Sequence, residues 1–162
     1  MLVMDVFTRR IIGFGVAPAH IDGVSVCHTF NYAISGQPLP KYLSTDNDPL
    51  FRFHRWLANL RVLKIDEIKS VPYIPVSHPF VERLIGTIRR EVLDRMCFWN
   101  AIDLARKLGE FKTYYNNSRC YQSLSGDTPL EESGKPAPRR ASLDRYDWQQ
   151  HCRGLFRLPI AA

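Results

Sequence analysis

The chain has 162 residues, of which 45% are hydrophobic, a length sufficient for one hydrophobic core and short for two. Lys and Arg number 22 against 16 Asp and Glu, and the resulting net charge of +6 favours a polyanionic partner. No apolar run approaches the roughly 20 residues that span a bilayer, and the four cysteines form no C-x-x-C pair. With no basic leader or cleavage site at the start, we expect a cytoplasmic protein with free thiols and no membrane partner.

The first half of the chain alternates short strands and helices. Two apolar runs, residues 2–6 (LVMDV) and 11–16 (IIGFGV), predict an antiparallel hairpin. Near-helical spacing of apolar residues predicts a helix over residues 21–34, which ends at Gly36. Residues 41–44 (KYLS) predict a buried strand. Asp48 before Pro49 predicts an N-cap, and the helix it opens should run to about residue 60.

The second half begins with a predicted strand at residues 61–65 (RVLKI) and a loop at residues 70–77 (SVPYIPVS). A long helix from Pro79 and another over residues 101–115 follow. The order of elements predicts a mixed sheet with helices packed on it. From residue 133 the chain is rich in Pro, Ser and Arg, so we expect a domain over residues 1–132 and a flexible tail over 133–162. One face of the helix from Pro79 is apolar and consists of Val81, Leu84, Ile85, Ile88, Val92 and Met96.

Two acidic residues stand at positions suited to chemistry. Asp46 follows the strand predicted at residues 41–44, and reacting groups gather at the carboxyl ends of strands in open α/β sheets. Glu82, 35 residues further on, lies in the first turn of the helix from Pro79. Each also has a simpler explanation, since Asp forms turns and the helix dipole favours Glu in a first turn. The spacing alone therefore identifies no site.

Four segments together carry a resemblance to a known family. Residues 5–14 (DVFTRRIIGF), 44–51 (STDNDPLF), 77–91 (SHPFVERLIGTIRRE) and 115–129 (YNNSRCYQSLSGDTP) resemble, in that order, motifs of DDE transposases, the retroviral-type integrase catalytic cores of bacterial insertion sequences. Tyr121 stands where the family usually has His, and Cys120 where Pro or Val is common. The resemblance implies an α/β fold of the ribonuclease H-like class, with a mixed sheet and helices on both faces. It also implies metal-dependent DNA strand cleavage followed by 3′-hydroxyl strand transfer.

By this resemblance, Asp46 and Glu82 are catalytic residues and ligands of two divalent metal ions, Mg²⁺ or Mn²⁺. DNA is the implied partner, and a homo-oligomer on the element ends the implied assembly. Candidate phosphate contacts on the same helix are Arg83, Arg89 and Arg90, for which a solvated helix face is the alternative. His78 is expected to cap this helix rather than touch DNA. The three tryptophans, Trp56, Trp99 and Trp148, are expected in the core or at interfaces.

One catalytic position of the family has no counterpart in the sequence. The family's first catalytic Asp lies on a strand upstream of the segment matched by residues 2–6, and Asp5 matches a different, non-catalytic position. We therefore expect the first strand to be missing and the chain to be inactive on its own. The alternatives are a non-catalytic DNA-binding remnant, a partner of an intact transposase, and a ribonuclease H-like nuclease that does not join strands.

Overall fold

A computed structural model describes residues 1–17, 21–70, 78–134 and 146–161. The chain divides into two compact units, one of Met1–Val3 and Ile12–Ala101 and the other of Met4–Ile11 and Ile102–Ala162. The described strands form three pairs, β1 with β2, β3 with β4 and β5 with β6. Every helix in these ranges is too short or too polar to cross a bilayer.

The predicted N-terminal hairpin is present, with strands β1 (Leu2–Met4) and β2 (Ile11–Phe14). Met1 and Gly15 exchange backbone hydrogen bonds in both directions, which is the antiparallel pattern. A β-carbon at Gly13 would lie 1.9 Å from the carbonyl oxygen of Ala33, so only glycine allows β2 to approach this backbone. The glycine of the segment at residues 5–14 therefore has a packing function.

Helix α1 (Gly23–Ile34) confirms the helix predicted over residues 21–34. Its N-cap is Asp22, whose side chain accepts a hydrogen bond of 2.7 Å from the Ser25 amide. The helix turns its apolar face into the core of the first unit. That core is formed by the buried side chains of Val26, Phe30, Ile34, Trp56, Leu60 and Ile65.

Strand β3 (Tyr42–Thr45) is present as predicted, but it is not the buried strand expected there. Tyr42 is 54% exposed, and Thr45 is the one buried residue of the strand. A 3₁₀ turn (Pro49–Arg52) and helix α2 (His54–Leu63) follow. This segment begins at the predicted position, after Asp48, and brings Trp56 into the core.

The strand predicted at residues 61–65 is wrong. Helix α2 extends to Leu63 and ends at Lys64, which adopts the left-handed conformation. The next strand is β4 (Asp66–Lys69), which pairs with β3 in parallel. Within the apolar run, Ile65 is buried in the core, whereas Val62 is 80% exposed.

Helix α3 (Pro79–Ile88) continues into a π-helical turn (Arg89–Leu93). Leu84, Ile88 and Val92 are buried as the apolar face predicts. Ile85 is 53% exposed, so its assignment to that face is wrong. Residues 71–77 of the loop predicted before this helix lie outside the described residues.

The second unit contains helix α4 (Ala101–Asn117), which confirms the prediction for residues 101–115, and the short helix α5 (Pro129–Glu132). Strands β5 (Tyr146–His151) and β6 (Phe156–Ala161) form an antiparallel hairpin that the sequence did not predict. The Phe156 ring stacks on Tyr114 of α4 at 4.1 Å. Of the tail expected over residues 133–162, residues 135–145 and 162 lie outside the described residues, and the domain boundary at residue 132 stays a prediction.

Candidate functional site

Asp46 lies at the tip of β3, directly after Thr45, where the sequence predicted it. Its side chain is exposed, and its Oδ1 accepts a hydrogen bond of 3.1 Å from the Asp48 amide. This hydrogen bond between residues two apart in sequence orients the Asp46 carboxylate, which stays exposed. The Asp46 Oδ2 atom accepts no hydrogen bond from the described residues, so it is accessible to a ligand.

Asp48 caps the turn that follows, which confirms the prediction for this residue. Its Oδ1 accepts a hydrogen bond of 2.8 Å from the Leu50 amide, and Pro49 occupies the first position of the turn. Both aspartates of this segment are exposed, but they differ in position. Asp48 caps the turn, and Asp46 lies at the end of the strand.

Two hydrogen bonds to Ser70 hold the residues on either side of Asp46. The Ser70 amide donates to the Thr45 carbonyl at 3.0 Å, which extends the β3–β4 pairing by one residue. The Asn47 side-chain amide donates to the Ser70 carbonyl at 3.0 Å. The residues before and after Asp46 are thus both bound to Ser70, which restrains the Asp46 backbone.

Glu67 on β4 is a carboxylate that the sequence analysis did not single out. Its side chain is 10% exposed, and its Oε1 accepts hydrogen bonds from Thr45 Oγ1 at 2.7 Å and from Trp56 Nε1 at 3.0 Å. Its Oε2 lies 3.8 Å from Lys69 Nζ. Glu is rarely so little exposed unless it is paired, and this low exposure cannot be read from the sequence.

Glu82 lies in the first turn of α3, as predicted, and its side chain is exposed. Its backbone amide donates to the His78 carbonyl at 3.0 Å. His78 occupies the N-cap position but makes no side-chain capping bond, so the expected capping function is wrong. The His78 Nε2 atom is buried without a partner among the described residues.

The three candidate phosphate-binding arginines, Arg83, Arg89 and Arg90, are all exposed. The latter two lie on the π-helical turn, where the Asp94 amide bonds to the Arg89 carbonyl at 2.9 Å. Such turns alter the angular spacing of side chains and are frequent at functional sites. A β-carbon at Gly86 would lie 3.3 Å from Arg90 Nη1, so the Arg90 guanidinium extends back over Gly86 along α3.

The donor set suits a hard divalent cation, because Asp46 and Glu82 are exposed carboxylates and such ions prefer oxygen ligands. Both residues belong to the first compact unit. Within the described ranges, no group of three or more His, Cys, Asp or Glu side chains is placed to hold a metal. The pair would therefore leave coordination positions for water or for other oxygen ligands.

The tryptophans divide between core and surface. Trp56 is 1% exposed and packs with the rings of Phe30 and Phe51, as expected of a core residue. Trp99 and Trp148 are 90% and 57% exposed, so neither is a core residue.

Comparison with known proteins agrees with the motifs. Residues 63–129, which include Glu82 and the three arginines, match the family model described as the integrase core domain. The chain is also 24% identical over 131 residues to the insertion element IS476 uncharacterized 39.2 kDa protein of Xanthomonas euvesicatoria. That match covers 81% of this chain and 38% of the relative, so the chain spans about two fifths of that protein's length.

Solved integrase structures share the fold. The catalytic core domain of BIV integrase superposes with a TM-score of 0.62 at 21% identity, covering 80% of this chain and 81% of that one. A chain of the simian T-cell lymphotropic virus intasome superposes with a TM-score of 0.64 at 17% identity, covering 91% of this chain and 54% of that one. The HTLV-2 integrase catalytic core domain in complex with magnesium superposes with a TM-score of 0.57 at 22% identity, covering 80% of each chain. The predicted resemblance to integrase cores and the ribonuclease H-like α/β fold class are confirmed.

Proposed function

We propose that this chain, similar to integrase cores in fold and in the match of residues 63–129, acts in DNA transposition as a catalytic core. The observation that carries the proposal is the matched segment itself, because it contains Glu82 in the first turn of α3. Asp46 at the tip of β3 is the second carboxylate of the proposed site. The choice of Asp46 over Asp48 is supported by the hydrogen bond with which Asp48 caps the following turn.

Asp46 and Glu82 would hold the divalent metal, Mg²⁺ or Mn²⁺, and the proposed site takes two ions. When bound, such ions activate the attacking water or 3′-hydroxyl and stabilise the leaving oxygen. The magnesium bound to the HTLV-2 integrase core supports the choice of cation. The task of the chain itself is to fix two carboxylate oxygens at the end of β3 and the start of α3.

DNA is the proposed partner, and Arg83, Arg89 and Arg90 are the proposed phosphate contacts. Their support is their exposure on the helix that carries Glu82, together with the net charge of +6. A homo-oligomer on element ends is proposed because a solved relative is an intasome and the HTLV-2 core is found in dimeric and trimeric forms. Because the proposed substrate is bacterial element DNA, we place the protein in the cytoplasm.

Residues 1–162 alone are proposed not to cleave or join DNA strands. The sequence matches two of the family's three catalytic carboxylates, and the loss of a ligand weakens metal binding and the in-line geometry of attack. A non-catalytic protein that binds DNA or pairs with an intact transposase is therefore the alternative function. Robust strand transfer by these 162 residues with Mg²⁺ or Mn²⁺ would show that another carboxylate completes the site.

Metal binding tests the site without depending on activity. Mn²⁺ is titrated into the full chain, and the free ion is measured by electron paramagnetic resonance. Asp46→Asn and Glu82→Gln should each reduce binding to a weak, nonspecific level. Asp66→Asn, which removes an exposed carboxylate of the same unit on β4, should leave binding unchanged. Equal binding by the unsubstituted chain and by the variants at Asp46 and Glu82 would overturn the proposed site.

A further inference from the structure

We propose that Glu67 is a positioning residue that fixes the metal-binding orientation of Asp46. The inference rests on the proposed function, because it assigns Asp46 to a metal. Glu67 does not contact the site itself. Its effect passes through Thr45, the residue directly before Asp46.

The Glu67 carboxylate is anchored in the core of the first unit. Trp56, which donates to Glu67 Oε1, is 1% exposed and packs against the rings of Phe30 and Phe51, with centroid distances of 5.1 and 5.0 Å. An indole held in this way has little rotational freedom. The position of the Glu67 carboxylate is therefore set by the core rather than by solvent.

The same oxygen binds the strand tip. Thr45 Oγ1 donates to Glu67 Oε1 at 2.7 Å, and the Thr45 side chain is buried with it. A hydrogen bond to a charged acceptor is stronger than one between neutral groups, and low exposure strengthens it further. Glu67 thus links Thr45, 22 residues earlier in the chain, to Trp56 in the core.

The second oxygen extends the network to the segment after Asp46. Lys69 Nζ lies 3.8 Å from Glu67 Oε2 and donates to the Phe51 carbonyl at 3.3 Å. Phe51 belongs to the 3₁₀ turn that Asp48 caps. Glu67 and Lys69 therefore hold both the strand that precedes Asp46 and the turn that follows it.

This arrangement leaves Glu67 unsuited to bind the metal and suited to support a ligand. Both its oxygens already have partners, and its side chain is 10% exposed. Residues that hold a metal ligand in place commonly change metal affinity when replaced, although they do not touch the ion. The expected consequence of losing Glu67 is a mobile strand tip and weaker metal binding at Asp46.

Three variants of the full chain test the proposal by Mn²⁺ titration. Glu67→Ala and Thr45→Val, which replaces the hydroxyl by a methyl group, should each lower Mn²⁺ affinity, by about 10- to 100-fold for Glu67→Ala. Glu67→Gln keeps an Oε1 acceptor for Thr45 and Trp56, so it should restore most of the affinity. If Glu67→Ala does not fold, Thr45→Val decides the question.

A control separates positioning from general destabilisation. Asn59→Ala breaks the paired side-chain hydrogen bonds between Asn59 and Asn31 in the same unit but away from the strand tip. It should lower thermal stability and leave Mn²⁺ affinity unchanged. If it weakens Mn²⁺ binding as much as Thr45→Val does, Glu67 has a merely structural function.

The two proposals fail in different ways. If the unsubstituted chain binds Mn²⁺ more tightly than Asp46→Asn does, and folded Glu67→Ala and Thr45→Val bind like the unsubstituted chain, the positioning function alone is overturned. If the unsubstituted chain and Asp46→Asn bind equally, the metal site itself is overturned, and the positioning function with it.

Discussion

Asn116 in the second unit shows why one residue of the segment at 115–129 must be an amide. Its Oδ1 accepts from the Ile11 amide and its Nδ2 donates to the Ile11 carbonyl, both at 2.9 Å and both buried. The side chain thereby pairs with the backbone of Ile11 as a neighbouring strand would. A carboxylate or an apolar side chain cannot make both bonds.

Replacing Asn116 should therefore destabilise the fold. Asn116→Ala leaves the amide and carbonyl of Ile11 buried without partners, so the free energy of unfolding should fall by about 3 kcal/mol, measured by urea denaturation. Asn117→Ala at the next, half-buried position should cost less than about 1 kcal/mol. Equal effects of the two substitutions would contradict the assigned function of Asn116.

Thiol chemistry should distinguish the four cysteines. Burial, together with the nearby charge of Glu110, raises the pKa of Cys152 to about 11, and burial also raises the pKa of Cys27. Cys97 and Cys120 are exposed. Because the thiolate is the reactive form, Cys97 and Cys120 should be alkylated at neutral pH while Cys152 remains unmodified until the protein unfolds. Mass spectrometry of the labelled peptides checks this, and early modification of Cys152 would contradict it.

His151 should make stability depend on pH. Burial lowers its pKa, and its Nε2 has no partner among the described residues. The unfolded chain therefore binds the proton more readily, so the stabilising contribution is full above the unfolded pKa of about 6.5 and is lost as pH falls below it.

Denaturation midpoints measured between pH 8 and pH 5 test this effect. His151→Gln should reduce the fall in stability at low pH, whereas His28→Gln, at an exposed position of α1, should not. An unchanged pH profile in His151→Gln would show that the imidazole of His151 is not responsible.

At the scale of elements, helix α4 contains a nearly buried ion pair. Lys107 Nζ lies 2.7 Å from Asp103 Oδ2, and the two side chains are 8% and 13% exposed. Asp103→Ala removes the carboxylate partner of the nearly buried Lys107 ammonium group, so the free energy of unfolding should fall by about 3 kcal/mol in thermal or urea denaturation. Arg106→Ala, which removes the half-exposed partner of Asp103, should cost less than about 1 kcal/mol. A negligible effect of Asp103→Ala would contradict this account.

Elements whose boundaries depend on local chemistry could be predicted from the sequence. Asp48 supplies a capping side chain that the sequence identifies, and the segment it opens begins where expected. The strand at residues 61–65 could not be recognised as wrong, because an apolar run at a helix end resembles a short strand. The β5–β6 hairpin was missed because its packing partner, Tyr114, lies 42 residues before Phe156, and local composition does not report such contacts.

The residues of the candidate site also differ in whether the sequence could predict them. Asp46 and Glu82 stand within local motifs, so their elements could be predicted. Glu67 could not, because its partners Thr45 on β3 and Trp56 on α2 are 22 and 11 residues away and meet it only in the folded chain. Residues that support a ligand through tertiary contacts leave no local pattern.

At the scale of the whole molecule, the net charge of +6 predicts DNA binding that depends on salt. Affinity for a DNA duplex should fall steeply from low to physiological salt, with no preference among sequences, because phosphate contacts release counterions. Replacing Arg89 and Arg90 by Ala should lower the magnitude of the salt slope by about two. Fluorescence anisotropy at several salt concentrations measures the slope. Arg61→Ala on α2 is the control, and binding that is insensitive to salt or specific for one sequence would contradict the prediction.

The most direct measurement of the central claim is a crystal structure of the chain soaked with Mn²⁺, with anomalous scattering used to locate the ion. We expect a manganese peak bound by carboxylate oxygens of both Asp46 and Glu82, with Asp48 not bound to the ion and still capping its turn. Carboxyl groups of Asp46 and Glu82 more than about 10 Å apart, beyond the span of a two-metal site, would contradict it. A manganese peak at Asp48 rather than Asp46 would do so equally.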